Sequence, residues 1–206
     1  MRNFDYIKDL HSLNDLYRFC NVAEITQVSD PDQSAVNSRK ALEWMVRAIY
    51  SIKGVAIGER TSLFEMVENE TFKEFVNDAK LMMAVHYIRK VGNIAAHSGN
   101  VLRKESFFAL LNIYNFVGAT LVKLQVVESF PPFNRDLIPD KPDIHVVPID
   151  NPEPSEEFVN SVDRSAADSA TKMEYTADIS EAETRKLFID LMLKEAGWKV
   201  FYLRLG

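Results

Sequence analysis

Residues 80–126 read KLMMAVHYIRKVGNIAAHSGNVLRKESFFALLNIYNFVGATLVKLQV, and their periodicity decides the fold. In the first half Leu81, Ala84, Val85, Ile88, Val91 and Ala95 recur at the three-and-four spacing of one helical face. At about 100° per residue, His86, Lys90, Asn93 and His97 fall together on the opposite side. One face is built for a core, and the other displays two imidazoles, an ammonium and an amide. After a short loop, Lys104 to Val126 forms a second helix with an apolar stripe at Phe107, Leu110, Leu111, Tyr114, Val117, Leu121 and Leu124. A further stripe at Phe108, Phe116 and Ala119 leaves little polar surface, which places this helix in the middle of a bundle.

Upstream, residues 4–19 read as an amphipathic helix with Phe4, Ile7, Leu10, Leu13, Leu16 and Tyr17 near one face, followed by a connector from Val22 to Val28. Asp30-Pro31 is a helix start, with a capping carboxylate and a proline in the first turn. The helix it opens runs to about Ile52 and buries Ala35, Leu42, Met45, Val46 and Ile49. Arg39, Glu43 and Arg47, four apart, predict a ladder of exposed ion pairs contributing about 0.3–0.5 kcal/mol each rather than an active site. Gly54 and Gly58 break the chain; Ser62 with Glu65 forms a capping box, and Glu70 to Val76 adds a turn or two. The expectation is an all-α domain over 1–127, with four long helices, one or two short ones, and no strand before Val126.

At Phe130 the composition changes. Seven of the eight prolines lie between Pro131 and Pro154, which excludes a continuing helix and predicts an extended, Pro-rich and acidic connector over 128–179. Phe158, Val159, Val162 and Tyr175 are its candidate anchors. Over 180–206, Ser180 caps a C-terminal helix with Glu183 at the capping-box position and Gly197 at its end. Lys199 to Leu203 then alternates like the start of a strand, so this stretch reads as the opening of a further domain.

The whole chain, 206 residues with 47% hydrophobic content and 13 Phe, can bury a sizeable core. No apolar run is read as the roughly 18–20 residues that span a bilayer, the N-terminus lacks a signal core, and Cys20 stands alone. A cytoplasmic protein with no membrane partner is expected. His11, His86, His97 and His145 form no pair at metal-ligand spacing, and there is no Gly-x-x-x-x-Gly-Lys loop, so no catalytic or metal residue is assigned.

Charge is partitioned within the chain's net −6. Residues 80–126 hold six basic side chains against Glu105, a net of +5, whereas 128–183 carry fourteen acidic and four basic residues, a net of −10. Lys90, Asn93, His97, Arg103 and Lys104 are therefore the candidate nucleic-acid-binding residues, with phosphate as the ligand and the acidic stretch competing for their face. The bland alternative is that these are ordinary solvated side chains and the acidic stretch serves solubility.

Ser180-Glu181-Ala182-Glu183-Thr184-Arg185, continuing to Gly197-Trp198, resembles the entry to the nuclease domain of type I restriction enzyme R (restriction) subunits. The resemblance implies that a metal-dependent nuclease site and ATP-driven translocase domains follow. Upstream, Arg39-Lys40-Ala41-Leu42-Glu43 and Gly92-Asn93-Ile94-Ala95-Ala96-His97 resemble a helical domain found ahead of such subunits, itself similar to the HEPN helical-bundle superfamily. On this resemblance the chain is the N-terminal segment of an R subunit, with DNA and the modification and specificity subunits as partners and a homodimer as a further option. Mg²⁺ and ATP would belong to the parent enzyme, with no cofactor in this chain. A stand-alone ribonuclease of a defence or toxin system and a non-catalytic dimerisation module are the alternatives. HEPN ribonucleases place four to six residues between an Arg and a His. Here Gly92-Asn93 stands where the Arg-polar pair is expected, and Arg89 misses the window before His97 by one residue.

Overall fold

Asp30 opens the helix on which the others pack: its carboxylate accepts from the Gln33 N–H at 3.0 Å, and Pro31 occupies the first turn. This helix, α2 (Pro31–Lys53), ends at Gly54, whose φ of 66° gives the left-handed cap that the glycine permits. Around it pack α1 (Asn14–Thr26), α5 (Ala79–His97) and α6 (Arg103–Lys123). The short helices α3 (Leu63–Glu68) and α4 (Glu70–Val76) close one side. The computed structural model describes residues 1–141 and 152–176, together with Lys186, Ile189 and Leu193, which are helical. Among these the fold is all-α, with four long helices before residue 126 and no strand. The rest of the capped helix expected from Ser180 and the strand expected at Lys199–Leu203 lie outside the described residues.

Local signals account for most boundaries. Ser62 and Glu65 form the expected capping box of α3, with Glu65 N–H donating to Ser62 Oγ at 3.2 Å and Ser62 N–H to Glu65 Oε2 at 2.7 Å. Asp78 caps α5 by accepting the Leu81 N–H at 2.8 Å. The N-terminus departs from expectation. In place of one helix over 4–19 there are two 3₁₀ turns, Asn3–Ile7 and His11–Leu13, and α1 then continues through the expected connector to Thr26. Phe4, Ile7, Leu10 and Leu13 recur every three residues, which is the 3₁₀ repeat and drifts around an α-helix.

The interior helix is α6. Leu110, Ile113, Phe116, Val117 and Leu121 are all fully buried, as are polar Ser106 and Thr120. By length and composition α6 could cross a membrane, which corrects the reading that no run is apolar enough. Yet 89% of its most apolar window lies inside the bundle, so helix neighbours, not lipid, surround it.

The described parts of the segment after α6, residues 128–141 and 152–176, form a strap laid on the bundle and are not purely extended. It contains a 3₁₀ turn (Arg135–Leu137) and the helices α7 (Glu156–Ser161) and α8 (Arg164–Ala167). Phe130 lies flat against α6 at Gly118, where an added Cβ would fall 2.5 Å from the ring. Phe158 is fully buried with its ring 5.2 Å from Trp44 of α2, and Met173 is buried in the same core. Val159, Val162 and Tyr175 pack alongside, so the four anchors legible in the sequence all seat on the bundle. The strap returns to α6 at its end, where Tyr175 and Thr176 hydroxyls donate to Asn112 and Asn115 at 2.7 and 2.8 Å.

Candidate functional site

The basic candidates meet where α5 hands over to α6. Ile94 O accepts the N–H groups of Ser98 and Gly99, both at 3.0 Å, which ends α5. Gly99 and Asn100 then take φ of 65° and 69°, a left-handed pair that turns the chain back. Asp32, in the first turn of α2, accepts the N–H groups of Asn100 at 3.1 Å and Val101 at 2.9 Å. Gln27 donates to Arg103 O at 2.9 Å, and Arg103 Nε donates to Val28 O at 3.0 Å. The α5–α6 loop is thus tied to the α1–α2 junction, and it presents exposed His97, Arg103 and Lys104 at one end of the bundle. Val28 uses only the Nε of Arg103, so the terminal nitrogens of the guanidinium keep the geometry that grips a phosphate.

The other two predicted residues sit differently. Lys90 and Asn93 are half-buried on α5, with Lys90 about 10 Å from His97 along the helix axis at 1.5 Å per residue. His86, expected on the same displayed face, is turned to α3. Its Nε2 lies 3.4 Å from Glu68 Oε1, and burial pushes the imidazole pKa down despite that carboxylate. Lys73 in turn holds Glu68 below the usual carboxylate range, from 3.1 Å. The predicted face therefore resolves into an exposed cluster of His97, Arg103 and Lys104, a half-buried pair, and a histidine paired with another helix.

Gly92 serves packing. An added Cβ would lie 2.4 Å from Arg39 Cβ and 3.1 Å from Ala35 O, so α2 and α5 cross there at close approach. The two stretches singled out in the sequence, 39–43 and 92–97, are thus neighbours in space. The Arg39–Glu43–Arg47 ladder is present, at 3.7 and 3.2 Å, but its side chains are 15–30% exposed rather than fully solvated. Arg47 reaches on to Glu153 of the strap at 3.0 Å, and Asp168 pairs with Lys53 at the end of α2. These two strap carboxylates thus pair with cations of α2.

Three contributors escape sequence reading: Asp32 and Gln27, which hold the loop, and Arg135, whose guanidinium lies 4.8 Å over the Phe107 ring. Asp32 looks like an ordinary first-turn acid, and nothing local in the sequence marks a partner some seventy residues on. No protein-family model, no curated protein and no solved structure matches the chain.

Proposed function

We propose that the chain is the N-terminal segment of a type I restriction R subunit, whose helical bundle serves assembly or DNA handling. Cleavage and ATP hydrolysis belong, on this reading, to domains that follow it. The DNA-handling role is supported by one observation: exposed His97, Arg103 and Lys104 at the helix ends that flank a loop held in place by Asp32, Gln27 and Val28. A fixed loop keeps its cations together without an ordering cost when phosphate arrives. Assembly partners would be the modification and specificity subunits, met through faces of the bundle away from this end. The test is binding of a labelled DNA duplex to the chain at low ionic strength. Weakening by Arg103→Ala combined with Lys104→Ala is the expected result; affinity unchanged by the pair would make this end mere solvated surface.

A further inference from the structure

Alongside α6, between the first and last parts of the strap, lies a cavity of about 790 Å³, within the roughly 300–1,000 Å³ range of small-ligand sites. Its floor is one face of α6: Phe108, Leu111, Asn115 and Ala119 follow one another at three- and four-residue steps. Lys104 is four residues before Phe108, one step further along that face, so the basic end of the bundle is also one end of this groove. Phe107 and Phe133 stand edge-to-face on the wall with ring centroids 6.1 Å apart. Two of these aromatics carry a cation: Arg135 lies 4.8 Å over Phe107, and Lys104 Nζ lies 5.9 Å over Phe108. At the other end, beyond the last turn of α6, the wall carries Glu128. The groove is thus aromatic with Arg135 at the N-terminal end of α6, while Lys123, Lys172, Glu128 and Glu174 mix both signs along the rest of its wall.

We propose that this groove takes a single strand of nucleic acid, with unpaired bases stacked on Phe107 and Phe133 and phosphates held by Lys104 and Arg135. The inference rests on the DNA-handling reading above and narrows it to unpaired strands. A duplex keeps its base faces stacked inside, so a pocket of half-buried rings flanked by cations is reached only by a base that has left the stack. Alternating cations and aromatic faces are what such a strand offers partners for: charge for each phosphate, a π-surface for each base. Arg135 is exposed, and its spare N–H groups can close on a phosphate in the bidentate manner of a guanidinium.

The experiment uses the full chain, a labelled single-stranded DNA oligonucleotide bearing 2-aminopurine, and a duplex of equal length, at low salt. The expected result is tighter binding of the single strand, with 2-aminopurine emission quenched as the base stacks. Phe133→Ala should weaken single-strand binding by roughly five- to 150-fold, the range measured when stacking side chains are truncated. Since Phe133 also packs on Tyr114 at 5.2 Å, Phe133→Leu and Phe107→Leu, which fill the space without a π-face, should also lose the quenching. If the duplex binds, and Arg103→Ala with Lys104→Ala weakens it, while the leucine variants bind single strands normally, the groove is overturned and the DNA-handling reading stands. If neither form of DNA binds, both fall together.

Discussion

Arg39 lies across Gly92. The α-carbon of the glycine is so close to α2 that a methyl group there would sit 2.4 Å from Arg39 Cβ and 3.1 Å from Ala35 O. This crossing joins two stretches 53 residues apart and sets the position of α5, hence of the loop that follows it. Gly92→Ala should therefore destabilise the protein, although alanine is favoured over glycine in a helix by about 1 kcal/mol. Overpacking costs about 1–3 kcal/mol and the obstacle is a β-carbon and a backbone carbonyl, which cannot swing away. A lowered urea midpoint with an unchanged m-value is expected; an unchanged or raised midpoint would mean that the helices separate freely.

The strap is part of the folded unit. Phe158→Ala should cost about 3–5 kcal/mol, because it empties a fully buried site against Trp44. Truncation at Pro131 should expose Trp44 together with the α6 surface under Met173, and so lower the melting temperature. The sequence suggests that residues before 131 close on themselves, and Phe158, Ala167 and Met173 of the strap are buried in the same core. A truncated domain that melts with the full chain would restore the simpler view.

Glu24 gives the fold a pH dependence. Its side chain is fully buried, accepting from Asn3 N–H at 3.1 Å and Asn3 Nδ2 at 3.0 Å, and Asn3 in turn bonds Asn134 of the strap. Burial raises its pKa above the usual carboxylate value, and the Asn3 donors offset this only in part. A raised carboxylate pKa means that the folded state favours the protonated form, so ionisation at neutral pH costs stability. Glu24→Gln should accordingly be at least as stable as the parent at neutral pH, and its advantage should shrink as pH falls through the raised pKa. Glu24→Ala should lose about 1–3 kcal/mol by stranding the Asn3 donors. A Gln-to-parent difference that is flat with pH would contradict the burial argument.

Asp32 clamps the loop that leads into Arg103, the first residue of α6. Asp32→Ala removes the acceptor of the Asn100 and Val101 amides, and hydrogen exchange at Val101 should accelerate while exchange in the centre of α2 stays slow. Unchanged exchange at Val101 would show that the left-handed turn holds the loop unaided.

Much of this architecture was legible because it is written locally. The Asp30-Pro31 start, the Ser62 and Glu65 box and the α5 and α6 stripes all depend on residues within a turn or two of each other. The N-terminus misleads for a related reason: Phe4, Ile7, Leu10 and Leu13 line up on a helical wheel well enough to suggest one helix, although their strict step of three favours 3₁₀ turns. The strap anchors were visible as isolated apolar residues, but their seats on Trp44 and α6 are set by pairs distant in the chain. The candidate site was half-legible. His97, Arg103 and Lys104 follow from position on α5 and at the α6 start, whereas the commitment of His86 to Glu68 and the cavity beside α6 arise only from packing between elements.

If the α5–α6 end contacts nucleic-acid phosphate, as proposed, binding must depend on salt. Fluorescence anisotropy with a DNA duplex should give an affinity that is independent of sequence and falls as salt rises. The slope of log affinity against log salt should be roughly −0.9 for each phosphate neutralised. Lys90→Ala, Arg103→Ala and Lys104→Ala together should lower the affinity and flatten that slope, with Arg103 and Lys104 contributing most because they are exposed. A triple variant that binds with the parent's slope would show that Lys90, Arg103 and Lys104 do not mark the phosphate-binding end.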